Sequence, residues 1–448
     1  MVERPVNSYH ISMRHKTIRI ASFIVIGCAL LVTLTHSVSF TPALCAECDV
    51  IVIALDAVDA TSIEKGLPLF YAYAKESGVI FEHAYGSETR GFPGHVALYT
   101  GEYPLDIGVA DEQFGLPLDI ATLPEVFASY GYETFGYSGS SFVEAPWGFA
   151  RGITEWRSSL PEEGFDASLT NAIERTARSA SDTPRFTYIA PYDLYGLLYT
   201  GTDFTYETLR KAHEGDSAAA SRLEAGYFAK LAKLDGRIME LIAATETSGR
   251  KTIVVVTASV GRIPFDKPGI KITRNMPPSH RILNVPLIIT YPGAKARTVS
   301  SSVEIKNVGK TILSLVGARS NSFPGVSLTP YIQGTKVTDQ RAYAQVNLVN
   351  NASLIDPPEK YYSDFKRILP QNIRIPEDSV RINLDKNSSI LSVIQGGWHL
   401  IRFPDGTKRL YAVWKDPEEA TDVYPFINEL SGADRNVVGA LLTDLIGK

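Results

Sequence analysis

Short, wholly apolar runs alternate along this chain with stretches whose apolar residues recur every three or four positions. Asp49–Leu55 (DVIVIAL), Lys251–Thr257 (KTIVVVT) and Val285–Tyr291 (VPLIITY) are rich in β-branched residues. Runs of that kind suit strands buried on both faces of a sheet. Val79–Phe81, Thr134–Tyr137 and Phe186–Ala190 extend the set. Between them the pattern predicts helices over Leu67–Ser77, Thr122–Tyr130, Asp166–Ala180 and Val308–Val316, and from Pro93 to Leu98 with proline in the first turn. Gly131 stops the second of these. The longest helix is Ser217–Thr247, where Leu223, Tyr227, Leu231, Leu234, Ile238 and Leu241 fall on one stripe, read as core packing. Alternation from Asp49 to about Gly317 predicts an α/β fold: a mostly parallel central sheet covered by helices on both faces. Beyond it, Ser389–Trp414 reads as antiparallel strands joined at Pro404-Asp405-Gly406, a small C-terminal subdomain. The chain therefore divides into a basic and apolar leader (1–48), an α/β core (49–334) and a C-terminal part of the same domain (335–448).

The leader carries its own signal. Arg14, His15, Lys16 and Arg19 precede an uncharged stretch from Ile20 to Ala46. A basic region followed by an apolar one is the pattern of export, and the positive charges place the remainder outside the cytoplasm. Cleavage after Ala43 or Ala46 and retention as a membrane anchor both remain open, so the expectation is an extracytoplasmic protein, secreted or anchored. The net charge is -5, and no basic tract of five residues occurs, which excludes a nucleic-acid partner. All three cysteines, Cys28, Cys45 and Cys48, lie in or just after the apolar segment, so no disulfide framework holds the main domain. Cys45-Ala-Glu-Cys48 has CxxC spacing, but no second pair completes a zinc site and no redox βαβ unit surrounds it.

Several runs, in order, resemble the sulfatase and alkaline-phosphatase superfamily. Asp56, at the end of the first strand, stands where that family keeps its first metal-binding aspartate. Gly91-Phe92-Pro93-Gly94-His95-Val96-Ala97-Leu98-Tyr99-Thr100-Gly101 is similar to its nucleophile segment. There the FPxH form resembles nucleotide phosphodiesterases, and PGHVAL resembles GPI ethanolamine-phosphate transferases. Thr122-Leu123-Pro124-Glu125 with Gly131-Tyr132-Glu133-Thr134, Leu234-Asp235, Val285-Pro286-Leu287-Ile288-Ile289 with Pro292-Gly293, and Asp416-Pro417-Glu418-Glu419 resemble further family runs. The resemblance spans about Asp49 to Val423. It implies a nucleophile at a helix N-terminus beside one or two metal ions, which together stabilise a sulfate or phosphate in transfer.

The residues that would perform this chemistry do not carry over. The nucleophile position is Gly91, which has no side chain. The family's late metal-binding pair aligns with Ser259 and Val260, and its Asp-x-x-Gly-His site with Asp193 and Leu197. Ser138-Gly139-Ser140 replaces an expected lysine. Asp56 and Asp193 alone make a weak set for a dication that wants four to six ligands, so the expectation is no metal rather than one divalent metal. Three readings follow. The favoured one keeps the fold, loses ester hydrolysis and binds an unidentified ligand or protein partner. The second is an active sulfo- or phospho-ester hydrolase or transferase with the nucleophile shifted to Ser87 or Thr89. There Asp56, Asp59 and Asp193 would hold one metal, with His95 or His280 assisting. The third is an envelope scaffold. Arg90 and His95 are candidate anion ligands under either of the first two. For His95 and His280, packing or capping competes with any role in binding.

Overall fold

The computed structural model describes residues 43–140, 142–159, 167–178, 182–191, 206–262, 276–318, 323–348 and 389–447. The described residues other than Ala43 belong to one compact unit, 44–448. The leader, with Cys28, lies outside the described residues, as do Asp193 and Leu197.

A nine-stranded sheet forms the centre. Strand β1 (Asp49–Leu55) lies between β5 (Arg185–Ala190) and β6 (Thr252–Ala258), parallel to both, with all seven residues buried. Its apolar run has no polar face because no face meets water. On one side β5 leads to β3 (Glu133–Ser138) and β4 (Glu155–Ser158), also parallel. On the other side β6 meets β7 (Asn284–Thr290), the one strand that runs counter to its neighbours, and β7 meets β2 (Gly78–Tyr85). Short strands β8 (Arg297–Val299) and β9 (Val303–Glu304) pair with β2 at the edge.

Helices α1 (Pro68–Ser77), α4 (Ala167–Arg178) and α5 (Ser217–Thr247) pack as one group; α2 (Gly91–Thr100), α3 (Leu123–Ser129) and α6 (Val308–Val316) form another. The predicted stripe on α5 is buried throughout. Asp235 on that helix also accepts hydrogen bonds from the Leu69 and Phe70 N–H groups at 2.8 and 2.9 Å, satisfying the open N-terminus of α1. Thr122 and Glu125 form a capping box at the start of α3.

The C-terminal sheet runs β10 (Ala342–Asn347), β11 (Ser389–Gln395), β12 (Trp398–Arg402) and β13 (Lys408–Ala412), antiparallel throughout. Gly396 and Gly397, both at positive φ, make the two-residue turn between β11 and β12. Helix α7 (Gly432–Gly447) covers one face, where Leu391, Val393, Leu400 and Leu410 meet Val438, Leu441 and Leu445. Ala342, Ala344 and Ile394 pack against Tyr85 and Leu283 of the main body. Cys45 and Cys48 are buried and bonded to each other, so the CxxC pair is a local disulfide.

Candidate functional site

The ends of β1 and β6 and the start of α2 converge on one carboxylate. Asp56 follows β1 and is 7% exposed. The next residue, Ala57, sits at φ 64°, a left-handed conformation that costs a non-glycine residue about 1–2 kcal/mol. Its carbonyl accepts from the Tyr227 hydroxyl at 2.9 Å, and the Val58 N–H donates to the Val260 carbonyl at 3.1 Å. These bonds hold the turn. On the β6 side the Ser259 N–H donates to the Leu55 carbonyl at 2.8 Å, which brings the Ser259 hydroxyl into a hydrogen bond with Asp56 Oδ1.

Helix α2 docks against this pair through glycines. A β-carbon built on Gly91 would stand 2.5 Å from both carboxylate oxygens of Asp56. The space that a side chain at the nucleophile position would occupy is therefore filled by the carboxylate. One turn later, a β-carbon on Gly94 would run into the Ser259 carbonyl oxygen. The approach of the helix to the end of β6 thus requires glycine at residue 94, where the clash is with backbone, while at residue 91 the neighbour is the Asp56 side chain.

His95, one residue beyond, is 1% exposed. Its Nδ1 lies 2.8 Å from the Tyr188 hydroxyl and its Nε2 3.7 Å from Asp56 Oδ2. With tyrosine as donor, Nδ1 accepts and the Nε2 proton faces the carboxylate, an assignment made from the network. Burial, reinforced by Asp56, pushes the Tyr188 hydroxyl well above its ordinary pKa, so it stays protonated. Ser259, Asp56, His95 and Tyr188 form a closed, buried polar chain.

The segment before α2 is also buried. Arg90 donates from Nη2 to Glu88 Oε1 at 2.7 Å and to the Ala110 carbonyl at 2.9 Å, and its Nε reaches both Glu88 oxygens. Burial raises the Glu88 carboxyl against the pull of Arg90. Burial works to lower the Arg90 guanidinium, but Glu88 prevails and the net direction is up. The candidate anion ligand is thus largely committed to an internal pair, with only Nη1 unpartnered. The Ser87 and Thr89 hydroxyls are buried and have no hydrogen-bond partner among the described residues.

Other candidates stand apart from Asp56. Asp59 caps the turn after β1, accepting from Ser62 N–H at 2.9 Å, and pairs with Arg262 at 3.3 Å. His280 lies at the entry to β7, its N–H donating to Glu419 at 3.0 Å. Glu419 also binds His399, so the Asp416-Pro417-Glu418-Glu419 run ties the C-terminal sheet to the main body. Among the described residues, no three His, Cys, Asp or Glu side chains come together in a way that could hold a metal. Among the described candidates, Asp56 is bonded to Ser259 and Asp59 to Ser62 and Arg262, and Val260 offers no donor, while Asp193 lies outside the described residues.

Sequence reading missed Tyr188, whose strand position reads as core, and Glu88, whose only signal was an acid two residues before a candidate anion ligand. It also missed Arg262, which stacks its guanidinium 5.2 Å from the Tyr227 ring centre.

Comparison with known proteins agrees with this architecture. Among solved structures, BT1596, a 2-O GAG sulfatase, superposes with a TM-score of 0.66 at 15% identity, covering 89% of this chain and 92% of that one. A phosphonate monoester hydrolase of Agrobacterium radiobacter gives 0.63 at 14% identity, covering 89% and 95%. One from Silicibacter pomeroyi gives 0.62 at 17%, covering 89% and 94%. These likenesses speak for the fold. No curated protein matches the chain in sequence. The family model described as Sulfatase matches residues 49–318, more than half of the chain, and takes in β1, α2 and β6, the elements that enclose Asp56. This chain belongs to the sulfatase family.

Proposed function

We propose that this is an exported sulfatase-family protein that has lost metal-dependent ester hydrolysis and acts by binding a ligand or partner. The observation that carries the reading is the contact between Gly91 and Asp56. With no side chain at residue 91, nothing there can attack sulfur or phosphorus, and a side chain added there would collide with the carboxylate that heads the family's metal set. Ser259 and Val260 at the late ligand positions support the same reading, since a neutral hydroxyl is a poor ligand and an isopropyl group none. Export is supported by the basic and apolar leader and by the Cys45–Cys48 disulfide, since disulfides persist in oxidising compartments and are rare in the cytosol.

A second reading rests on the two buried, unpartnered hydroxyls of Ser87 and Thr89 just before α2. It makes the protein an ester hydrolase or phosphotransferase with a displaced nucleophile and one metal at Asp56. Metal content separates the two. Full-length protein is exposed to zinc, calcium, magnesium and manganese, desalted, and measured by elemental analysis beside Asp56→Ala. The first reading expects less than stoichiometric metal in both. One equivalent that disappears with Asp56→Ala would sink it in favour of the second.

A further inference from the structure

A groove of about 850 Å³ opens between the edge of the main sheet and the β11–β12 turn. None of Asp56, Ser87, Thr89, Gly91 or Ser259 lines it. It is organised by a break in β2. Register slips between Phe81 and Ala84, where β8 has ended and β9 has not begun, so Glu82 and His83 fall outside regular pairing.

The charged side chains among the described residues that line the groove are carboxylates. Glu82 accepts the Ser300 hydroxyl at 2.6 Å through Oε2, and Asp339 accepts the Ser302 N–H at 2.7 Å through Oδ1. Each carboxylate keeps its other oxygen uncommitted, and neither has a cationic partner among the described residues. A third carboxylate, Glu64, is faced by Lys75 at 3.5 Å. Among the described residues, no lysine or arginine lines the groove. Burial lowers the His280 imidazole to about 4, so that ring is uncharged at neutral pH. That ring is 8% exposed, lines the groove and makes no hydrogen bond among the described residues, while His83 Nδ1 is buried without a partner. Trp414, 49% exposed, forms part of the wall. Lys415 sits 5.8 Å from its ring centre without joining the lining.

Such a surface rejects anions, because a sulfate or phosphate would meet uncompensated carboxylates. A protonated amine suits it. An ammonium offers three donors and no acceptor, matching free carboxylate oxygens and an unprotonated imidazole nitrogen, and an indole face attracts cations. We propose that this groove is a binding site for an organic cation, which presents a protonated amine to Glu82 and Asp339 and lays its frame against Trp414. The site is separate from the one around Asp56, and its test reads binding alone, so it stands or falls independently of ester turnover.

Three probes of one shape and different charge decide the matter: cyclohexylamine, cyclohexanol and cyclohexanecarboxylate, titrated into the full-length chain by calorimetry at neutral pH. Saturable one-to-one binding of the amine is expected, with weaker binding of the alcohol and none of the carboxylate. The double variant Glu82→Gln, Asp339→Asn is expected to weaken amine binding at least tenfold while its circular dichroism and melting stay close to the parent's. Should that variant fail to fold, Trp414→Ala, at a half-exposed position, carries the same expectation of weaker binding. Absence of saturable amine binding, equal binding of all three probes, or amine binding unchanged in a folded variant would overturn the proposal.

Discussion

Glycine at residue 91 leaves no room for a β-carbon against the Asp56 carboxylate, which the Ser259 hydroxyl holds in place. Restoring a hydroxyl with Gly91→Ser should therefore act as overpacking. It should cost about 1–3 kcal/mol in urea denaturation and bring no ester turnover. His280 gives a pH-dependent counterpart. Its folded pKa is lowered by burial from 6.5 to about 4, against the pull of Glu419 and with His399 and His83 adding to the fall. Between those values the unfolded chain binds a proton that the folded chain does not, so stability falls as pH drops from about 6.5 towards 4. The loss attributable to His280 reaches about 3 kcal/mol, at 1.4 kcal/mol per pKa unit. His280→Phe should flatten that part of the profile, measured as unfolding free energy against pH. At this scale the sequence was informative where register was fixed. Ser259 and Val260 stand between a strand and a glycine that locate them on both sides, whereas Gly91 is located only by the Phe92-Pro93 that follows it. Tyr188 was not legible, because a tyrosine inside an apolar strand looks like packing until a histidine is seen at its hydroxyl.

Long helices and buried strands were the most legible elements, because their periodicity follows from one continuous environment. Ser217–Thr247 and Val308–Val316 run as predicted. What periodicity could not convey was direction and pairing. The apolar run of β7 looks like any parallel core strand, yet it runs counter to β6 and β2 because it starts at the end of the sheet where β6 finishes. Two-residue β9, three-residue β8 and four-residue β4 are too short to carry a pattern. Strand β10 took its place only through its pairing with β11, far along the chain. The element-level prediction concerns α1. Its first free N–H groups are held by Asp235 from another helix, so Asp235→Ala leaves them without an acceptor. It should cost about 2 kcal/mol or more in chemical denaturation, and Asp235→Asn, which keeps one oxygen, should cost less.

Across the whole molecule the family's frame is present, and the loss proposed above concerns its reactive positions alone. Sheet, covering helices and C-terminal subdomain are assembled by the same runs that resemble the family, including the Asp416-Pro417-Glu418-Glu419 segment that reaches His280 and His399. Several of those runs therefore have structural work to do, whichever reading of the nucleophile holds. Asp235 and Glu419 are examples: one caps a helix and the other joins two sheets. The measurement that tests this account most directly is turnover of an aryl sulfate and an aryl phosphate by the full-length protein. It is assayed with and without added divalent metals, beside Ser87→Ala and Thr89→Ala. The account predicts hydrolysis no faster than buffer for every sample. Metal-dependent turnover by the parent chain that collapses in Ser87→Ala or Thr89→Ala would contradict it and place a working nucleophile just upstream of Gly91.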